Sequence, residues 1–151
     1  MDITLKGLFV VSMLVFAATT AFIRIYRRRR HYLRLHSVLN LTLSKEKLAL
    51  TRYEMISERL VGWCHSEQVL LVVERHDIAP LMISLKAADK CYVIKKADRK
   101  TVKVIRLLFA TRHNRVVYDL FLYKQGRDSN PRKIEKQCRN WHELLNSHLV
   151  K

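Results

Sequence analysis

The chain has 151 residues, and its 29 Lys and Arg residues against 13 Asp and Glu give a net charge of +16. Its length fits one domain with an appendage, and the balance of 49% hydrophobic and 28% charged residues disfavours a disordered tail or a multi-pass membrane protein. Such a charge predicts an anionic partner, either nucleic acid or a membrane surface. With 3 glycines and neither G-x-x-x-x-G-K-[ST] nor G-x-G-x-x-G, the sequence argues against nucleotide hydrolysis.

The first element is an uncharged apolar run from Gly7 to Ile23. As a helix it would extend about 25 Å, and flanking apolar residues lengthen it toward the hydrocarbon thickness of a bilayer. A cleaved signal peptide is the alternative, since Ala17, Ala18 and Ala21 are small residues near a possible cleavage point. Signal peptides carry their positive charge before the apolar run, whereas here the charge follows it, so we predict a retained, single-pass transmembrane helix.

A basic collar follows the apolar run; its arginines are Arg24, Arg27, Arg28, Arg29 and Arg30. Because Lys and Arg beside a span stay on the cytoplasmic side, the collar predicts an N-out orientation with a cytoplasmic C-terminal domain. We interpret the glycosylation pattern at Asn40-Leu41-Thr42 as a chance match. Setting topology and attracting anionic lipids are both consistent with these arginines.

Residues 34–43 fit either a strand or a helix, and we favour a helix. From Ser44, a possible N-cap, apolar residues recur every three or four positions as far as Cys64. This spacing predicts an amphipathic helix of four to five turns, ending near Gly62, with core packing as its expected use and a dimer seam as the alternative.

The pattern then changes to β-rich runs separated by polar residues. The runs are Gln68–Glu74, Leu81–Leu85, Cys91–Lys95, Val102–Thr111 and Val116–Lys124. Residues 112–115 predict a tight hairpin, and the lack of intervening helices predicts an antiparallel meander. Asn130 and Pro131 then begin a final helix whose apolar stripe includes Trp141.

Strands followed by one C-terminal amphipathic helix with a central Trp resemble a pleckstrin-homology-like barrel, in which that helix closes one end. The resemblance covers about Gln68 to Leu149 and rests on element order and Trp141, with about five of the expected seven strands. It implies binding of phospholipid headgroups or protein partners without catalysis. An α+β sheet with a packed helix is the alternative.

A second basic cluster lies over the middle strands, and its candidate anion-binding residues are Lys95, Lys96, Arg99, Lys100 and Lys103. A solvated sheet face is the alternative reading. Cys64, Cys91 and Cys138 are odd in number and widely spaced, which is typical of buried thiols in a reducing compartment. Cys138 and His142 offer half of a metal site, but no second pair of ligands is evident, so we predict no metal. Because the sequence has neither an H-E-x-x-H helix pair nor a G-x-S-x-G turn, we also predict no cofactor and no catalytic residues.

Together these patterns predict an α+β protein with a membrane anchor at 1–30, a linker with an amphipathic helix at 31–66 and a cytoplasmic β-rich domain at 67–151. The predicted function is a non-enzymatic binding or scaffold module at the inner leaflet that contacts anionic lipids or a protein partner. A membrane-tethered nucleic-acid binder is the alternative, although no zinc module, helix-turn-helix or RNA-binding motif is present. Oligomeric state and partner identity are left open.

Overall fold

The computed structural model describes residues 3–75, 77–99, 101–126, 128 and 130–149, with side chains from Phe9 onward. Two helices flank seven strands: α1 spans Ile3–Glu46 and α2 spans Pro131–Leu149. The strands are β1 Arg52–Ile56, β2 Arg59–Cys64, β3 Val69–Val73, β4 Leu81–Ser84, β5 Lys90–Asp98, β6 Thr101–Ala110 and β7 Val116–Lys124. The protein is therefore α+β, as predicted.

All strand pairings are antiparallel, and they form two sheets. The first sheet has the order β1-β2-β3-β4 and the second has the order β5-β6-β7. Over the described residues these sheets are separate and do not form a closed barrel. The five predicted β-rich runs correspond to β3 through β7, and the predicted hairpin forms with Asn114 at φ 59°.

The predicted amphipathic helix from Ser44 to Cys64 is wrong. Ser44 lies near the end of α1, and the region beyond it forms β1 and β2 around a two-residue turn at Ser57-Glu58. All six residues of β2 are buried because both faces of this strand are covered, so no period of two is visible in the sequence. Ser57 has φ 58° without a Gly or Asn to signal the turn.

The end of α1 is set by backbone geometry. Lys47 adopts φ 53°, and the amide of Leu48 donates to the carbonyl of Leu43 at 3.0 Å. This is a Schellman ending, in which a left-handed residue stops the helix and satisfies a terminal carbonyl. Leu43 and Leu48 also pack in one cluster, which fixes the chain direction as it enters β1.

Two hydrophobic clusters lie on opposite faces of the first sheet. The inner cluster joins both sheets to α2 and contains Trp63, Phe109 and Trp141 among its largest members. The outer cluster lies between α1 and the first sheet; its buried members are Leu35, Leu39, Leu60, Cys64, Leu71 and Val73. The predicted boundary between the linker segment at 31–66 and the β-rich domain at 67–151 falls between β2 and β3, which are hydrogen-bonded neighbours in the first sheet.

Gly62 permits the close approach of Leu50, in the segment between α1 and β1, to the first sheet. A Cβ atom at this position would lie 2.9 Å from a methyl carbon of Leu50 and 3.6 Å from one of Leu39. A Cβ here would press on the Leu50 side chain of the outer cluster, whereas its distance from Leu39 of α1 is an ordinary van der Waals contact.

Candidate functional site

Strand direction gathers alternate loops at one end of the domain. Antiparallel pairing places the β1–β2 turn and the β3–β4 loop at one end of the first sheet. It likewise places the β5–β6 turn and the β7–α2 loop, which leads into α2, at one end of the second sheet. Ser57 donates to Asp128 at 2.6 Å, and the Gln125 amide donates to the Lys103 carbonyl at 2.8 Å. We call this end of the domain the proximal face, because it lies beside the basic collar.

The position of α1 shows why the collar and the proximal face meet. Leu39 packs near the middle of β2, and Leu43 packs farther from the collar in the same cluster. Toward its N-terminus, α1 passes the proximal face, where Arg28, His31 and Tyr32 line a cavity of about 570 Å³. The domain contributes the rest of its wall: Met55, Ser57, Glu58, Asn130, Lys133, Ile134 and Gln137. The apolar part of α1 then continues away from the domain.

A second hollow lies between the collar and the β3–β4 loop. Its wall contains Arg27, Arg30 and Arg34 from α1, and Arg75 from the end of β3. The hollow has a volume of about 770 Å³. The collar therefore joins a surface made jointly with the folded domain, beyond the linear cluster visible in the sequence.

Of the predicted collar residues, Arg27 and Arg30 line the second hollow, and Arg28 lines the first. Arg24 and Arg29 are exposed and belong to neither wall. Residues 24 to 30 are consecutive turns of one helix, so their side chains point around its whole circumference.

The second predicted cluster is divided by the fold. The ammonium group of Lys95 lies 2.7 Å from a carboxylate oxygen of Glu135, and that of Lys103 lies 2.8 Å from one of Asp98. Lys96 and Arg99 are exposed, whereas Lys100 lies outside the described residues. Arg99 and Lys103 join Gln125 around a cleft on the proximal face. Lys95 instead faces α2, because neighbouring residues of a strand point to opposite faces.

A buried arginine network ties the proximal loops together. Arg59 is 4% exposed, and its guanidinium lies 2.8 Å from Glu74 and 3.4 Å from Asp128. It also donates to the carbonyl of Leu122 at 3.1 Å. A buried guanidinium requires such partners, so this network fixes three segments that carry the proximal face.

Sequence reasoning missed Arg59, Arg75 and Ile78. Arg59 was placed on the wrong element, and Arg75 follows a strand whose end the sequence shows only approximately. Ile78 is 92% exposed in the β3–β4 loop. An isolated aliphatic residue between Asp77 and Ala79-Pro80 was the signal available for it.

The predicted buried thiols are confirmed. Cys64, Cys91 and Cys138 are free and buried, and burial raises the pKa of Cys91 and of Cys138 to about 12. A thiol with so high a pKa is a poor nucleophile at neutral pH. Near Cys138, the His142 ring contacts the Asn146 amide at 2.9 Å. Among the described residues, no group of three His, Cys, Asp or Glu side chains is placed to hold a metal ion.

The outer face of the second sheet carries exposed aromatic side chains. Phe121 is 48% exposed and Tyr92 is 36% exposed. The Arg106 guanidinium lies 5.6 Å from the centroid of the Phe121 ring and also pairs with Asp119. Lys96 lines the same shallow hollow as Phe121. This face therefore combines aromatic and cationic groups away from the inner core.

Comparison with known proteins found no matching family model, no matching curated protein and no matching solved structure. The features of the described chain that bear on function are the arginine-lined second hollow, the exposed apolar part of α1 and the outer face of the second sheet.

Proposed function

We propose that this protein is a single-pass, membrane-anchored binding module whose proximal face contacts anionic phospholipid headgroups. The observation that carries the proposal is the continuity of α1, which joins an apolar segment, the basic collar and the packed domain in one helix. Among the described helices, α1 is long and apolar enough to cross a membrane, and its apolar window is unburied.

The exposed side chains of α1 support a lipid environment. Large apolar groups project from it without a protein partner over more than four turns; they include Phe9, Val11, Leu14, Phe16, Phe22 and Ile25. A soluble domain rarely exposes so extended an apolar surface. A bilayer would cover it on all sides, which a single packing partner would not.

Distances along α1 support contact between the collar and the headgroups. If the apolar segment ends near Tyr26, the five residues to His31 rise about 7.5 Å. The headgroup region is roughly 5–8 Å thick on each side of the hydrocarbon core. The collar arginines would therefore lie at headgroup depth, with the proximal face directly beneath them.

The asymmetry of flanking charge supports an N-out orientation with the domain in the cytoplasm. A cleaved signal peptide is the competing explanation of the apolar run. Cleavage near Ala21 would cut α1 within its continuous helical span, while leaving the collar attached to the domain.

The pleckstrin-homology-like fold is likewise a proposal. Four antiparallel strands, three further antiparallel strands and one C-terminal helix follow the element order expected of that fold. β1 and β2 precede the five strands that the sequence pattern predicts, which makes seven strands among the described residues. A binding role without catalysis fits this architecture by analogy.

Fluorescence quenching tests contact between the proximal face and lipid. We would label Ala79→Cys, beside Ile78, and compare it with His113→Cys in the β6–β7 hairpin at the opposite end; the three native thiols are buried. The full chain would be reconstituted in nanodiscs containing headgroup-attached nitroxide lipid, with either neutral lipid alone or 30% phosphatidylserine.

We expect the label at position 79 to be quenched more strongly in the anionic nanodiscs, and the label at position 113 to be unaffected. High salt should reduce the difference, because screening weakens attraction between exposed charges. Equal quenching in neutral and anionic nanodiscs, or equal quenching at both positions, would contradict the proposal.

Single-stranded nucleic acid is a second candidate ligand, favoured by the outer face of the second sheet. Bases stack on exposed aromatic rings beside cationic groups, and Phe121, Tyr92 and Lys96 supply both on one sheet. Fluorescence anisotropy with a labelled oligouridylate would test this function. Binding that Phe121→Ala weakens but Val116→Ala does not would support it, and absence of binding at low salt would exclude it.

A further inference from the structure

The hollow between α1 and the β3–β4 loop, here called the arginine groove, carries an inference about ligand chemistry. It is defined by Arg27, Arg30, Arg34 and Arg75. The three helical arginines are spaced by three and four residues, which places them on one face of α1. Arg75 contributes a fourth guanidinium from a different element, so the groove exists only when α1 is packed on the domain.

The groove concentrates positive charge with little internal compensation. Its other lining residues are His31, Leu33 and Ser37, so none of the residues in its wall is acidic. Arg75 forms an exposed ion pair with Glu58 at 4.0 Å, and the Glu58 side chain is 63% exposed. The four arginine side chains around this hollow carry like charge, and an anion between them would offset their mutual repulsion.

The chemistry of guanidinium groups indicates which anion fits best. Arginine donates two parallel hydrogen bonds to planar or tetrahedral oxyanions, and phosphate is a preferred partner. A phosphate monoester offers three acceptor oxygens and a charge near −2 at neutral pH, whereas a diester offers two free oxygens and a charge of −1. Several arginines therefore favour the monoester over the diester.

The dimensions and surroundings of the groove favour a lipid source for that phosphate. A volume of about 770 Å³ lies within the range of ligand sites and far exceeds the space of one water molecule, about 30 Å³. The groove begins at the proposed headgroup depth, at Arg27 and Arg30, and extends toward the domain as far as Arg34, roughly 4.5 Å beyond His31 along α1. Ile78 projects from the same loop region with 92% exposure, where an aliphatic side chain suits insertion among lipids.

We propose that the arginine groove binds the phosphomonoester headgroup of a membrane lipid. This inference rests on the proposed function and adds a site and a ligand class to it. General attraction of the collar to any anionic leaflet needs no such groove, so the two statements make different predictions.

Calorimetric titration of the full chain in a non-ionic detergent tests the inference. The probes are dioctanoyl phosphatidic acid as the monoester lipid, dioctanoyl phosphatidylserine as the anionic diester and dioctanoyl phosphatidylcholine as the neutral lipid. Glycerol 3-phosphate serves as a soluble monoester. The groove variant is Arg34→Gln with Arg75→Gln, and the charge-matched control is Lys86→Gln with Arg115→Gln at the opposite end of the domain.

We expect phosphatidic acid to bind at least about 10-fold more tightly than phosphatidylserine, because more charge-assisted hydrogen bonds form. The groove variant should lose about 10-fold or more of that affinity, and the control variant less than about 2-fold. Circular dichroism should show both variants folded, since all four substituted side chains are exposed.

Other outcomes separate the two proposals. Equal binding of both anionic lipids, above phosphatidylcholine, would overturn the phosphomonoester site and leave the proposed function standing. Equal binding of all three lipids would overturn both. Glycerol 3-phosphate binding as tightly as phosphatidic acid would assign the groove to a soluble phosphate and overturn the lipid source. Equal losses in groove and control variants would show diffuse charge instead of a site.

Discussion

The two helices of this protein use their residues in opposite ways. α2 has 19 residues and buries a stripe of Ile134, Cys138, Trp141, Leu145 and Leu149 in the inner cluster. α1 has 44 residues, yet from Phe9 onward its buried positions are Leu35 and Leu39, toward its C-terminal end. α2 is therefore part of the domain, whereas most of α1 exposes apolar side chains that no other described part of the chain covers.

Truncating Trp141 gives the largest expected effect. Its ring is 0% exposed, and its indole N–H donates to Glu54 of β1 at 2.9 Å. Trp141→Ala leaves a cavity and removes one of the hydrogen-bond donors to the half-buried Glu54 carboxylate, so the free energy of unfolding should fall by about 3–5 kcal/mol. Urea melts of the full chain in detergent measure this loss. Phe16→Ala, in the apolar part of α1, is the control, and matching losses for both variants would erase the distinction between the helices.

Truncating Leu39 measures how firmly α1 packs on the domain. Leu39 is fully buried in the outer cluster, so Leu39→Ala should cost about 2–5 kcal/mol. Because Cys64 lies in the same cluster, its alkylation should accelerate before that of Cys91 and Cys138. Simultaneous exposure of all three thiols would instead show that α1 and the inner core unfold as one unit.

Alkaline pH provides a smaller, graded test of the inner core. The raised pKa values of Cys91 and Cys138, about 12, mean that both thiols stay neutral when folded, while an unfolded chain ionises them near pH 9. Stability should therefore be intact well below pH 9 and decline between pH 9 and 12, by about 1.4 kcal/mol per thiol at pH 10. Cys91→Ala with Cys138→Ala should flatten that decline, and an unchanged slope would contradict burial of both groups.

The smallest expected effect belongs to the solvent side of α2. Arg139 pairs with Glu135 at 3.0 Å on adjacent turns, and the Arg139 side chain is 69% exposed. Arg139→Ala should change stability by less than about 0.5 kcal/mol. The hydrogen bonds from Lys95 and Arg139 lower the pKa of Glu135. Their stabilisation of the folded state is therefore fully present above the unfolded-state pKa of Glu135, and it is lost as pH falls through the lower folded-state pKa. A large destabilisation by Arg139→Ala in urea melts at pH 7 would show that this face is covered.

The same contrast explains which parts of the fold were predictable. The Ile134-to-Leu149 stripe has a clear helical period because one face of α2 meets the core and the other meets solvent. Strands β3 to β7 were recognisable from β-branched and aromatic runs between turn residues. The β1–β2 hairpin was not, since β2 is buried on both faces and its turn is formed by Ser57-Glu58.

The candidate site was predictable only in its linear part. The five collar arginines lie within seven residues of one another in the sequence. Arg75 is 45 residues beyond Arg30, and it lines the same hollow as Arg27 and Arg30 through packing that no local pattern encodes. Lys95 and Lys103 resembled the collar arginines in the sequence because their acidic partners are not adjacent to them in the chain. Lys95 pairs with Glu135 on α2, and Lys103 pairs with Asp98 on the neighbouring strand. Charge counts along the chain cannot reveal such pairing.

Every lipid contact proposed for the proximal face depends on two properties of α1. The helix must remain in the mature protein, and it must cross the membrane with its N-terminus outside. The direct measurement combines the intact mass of the protein in the membrane fraction with a topology reporter fused after Lys151. We predict an uncleaved chain that resists alkaline extraction and a reporter on the cytoplasmic side. A mature N-terminus near Ala21, release by alkaline carbonate or a reporter on the opposite side of the membrane would contradict the account.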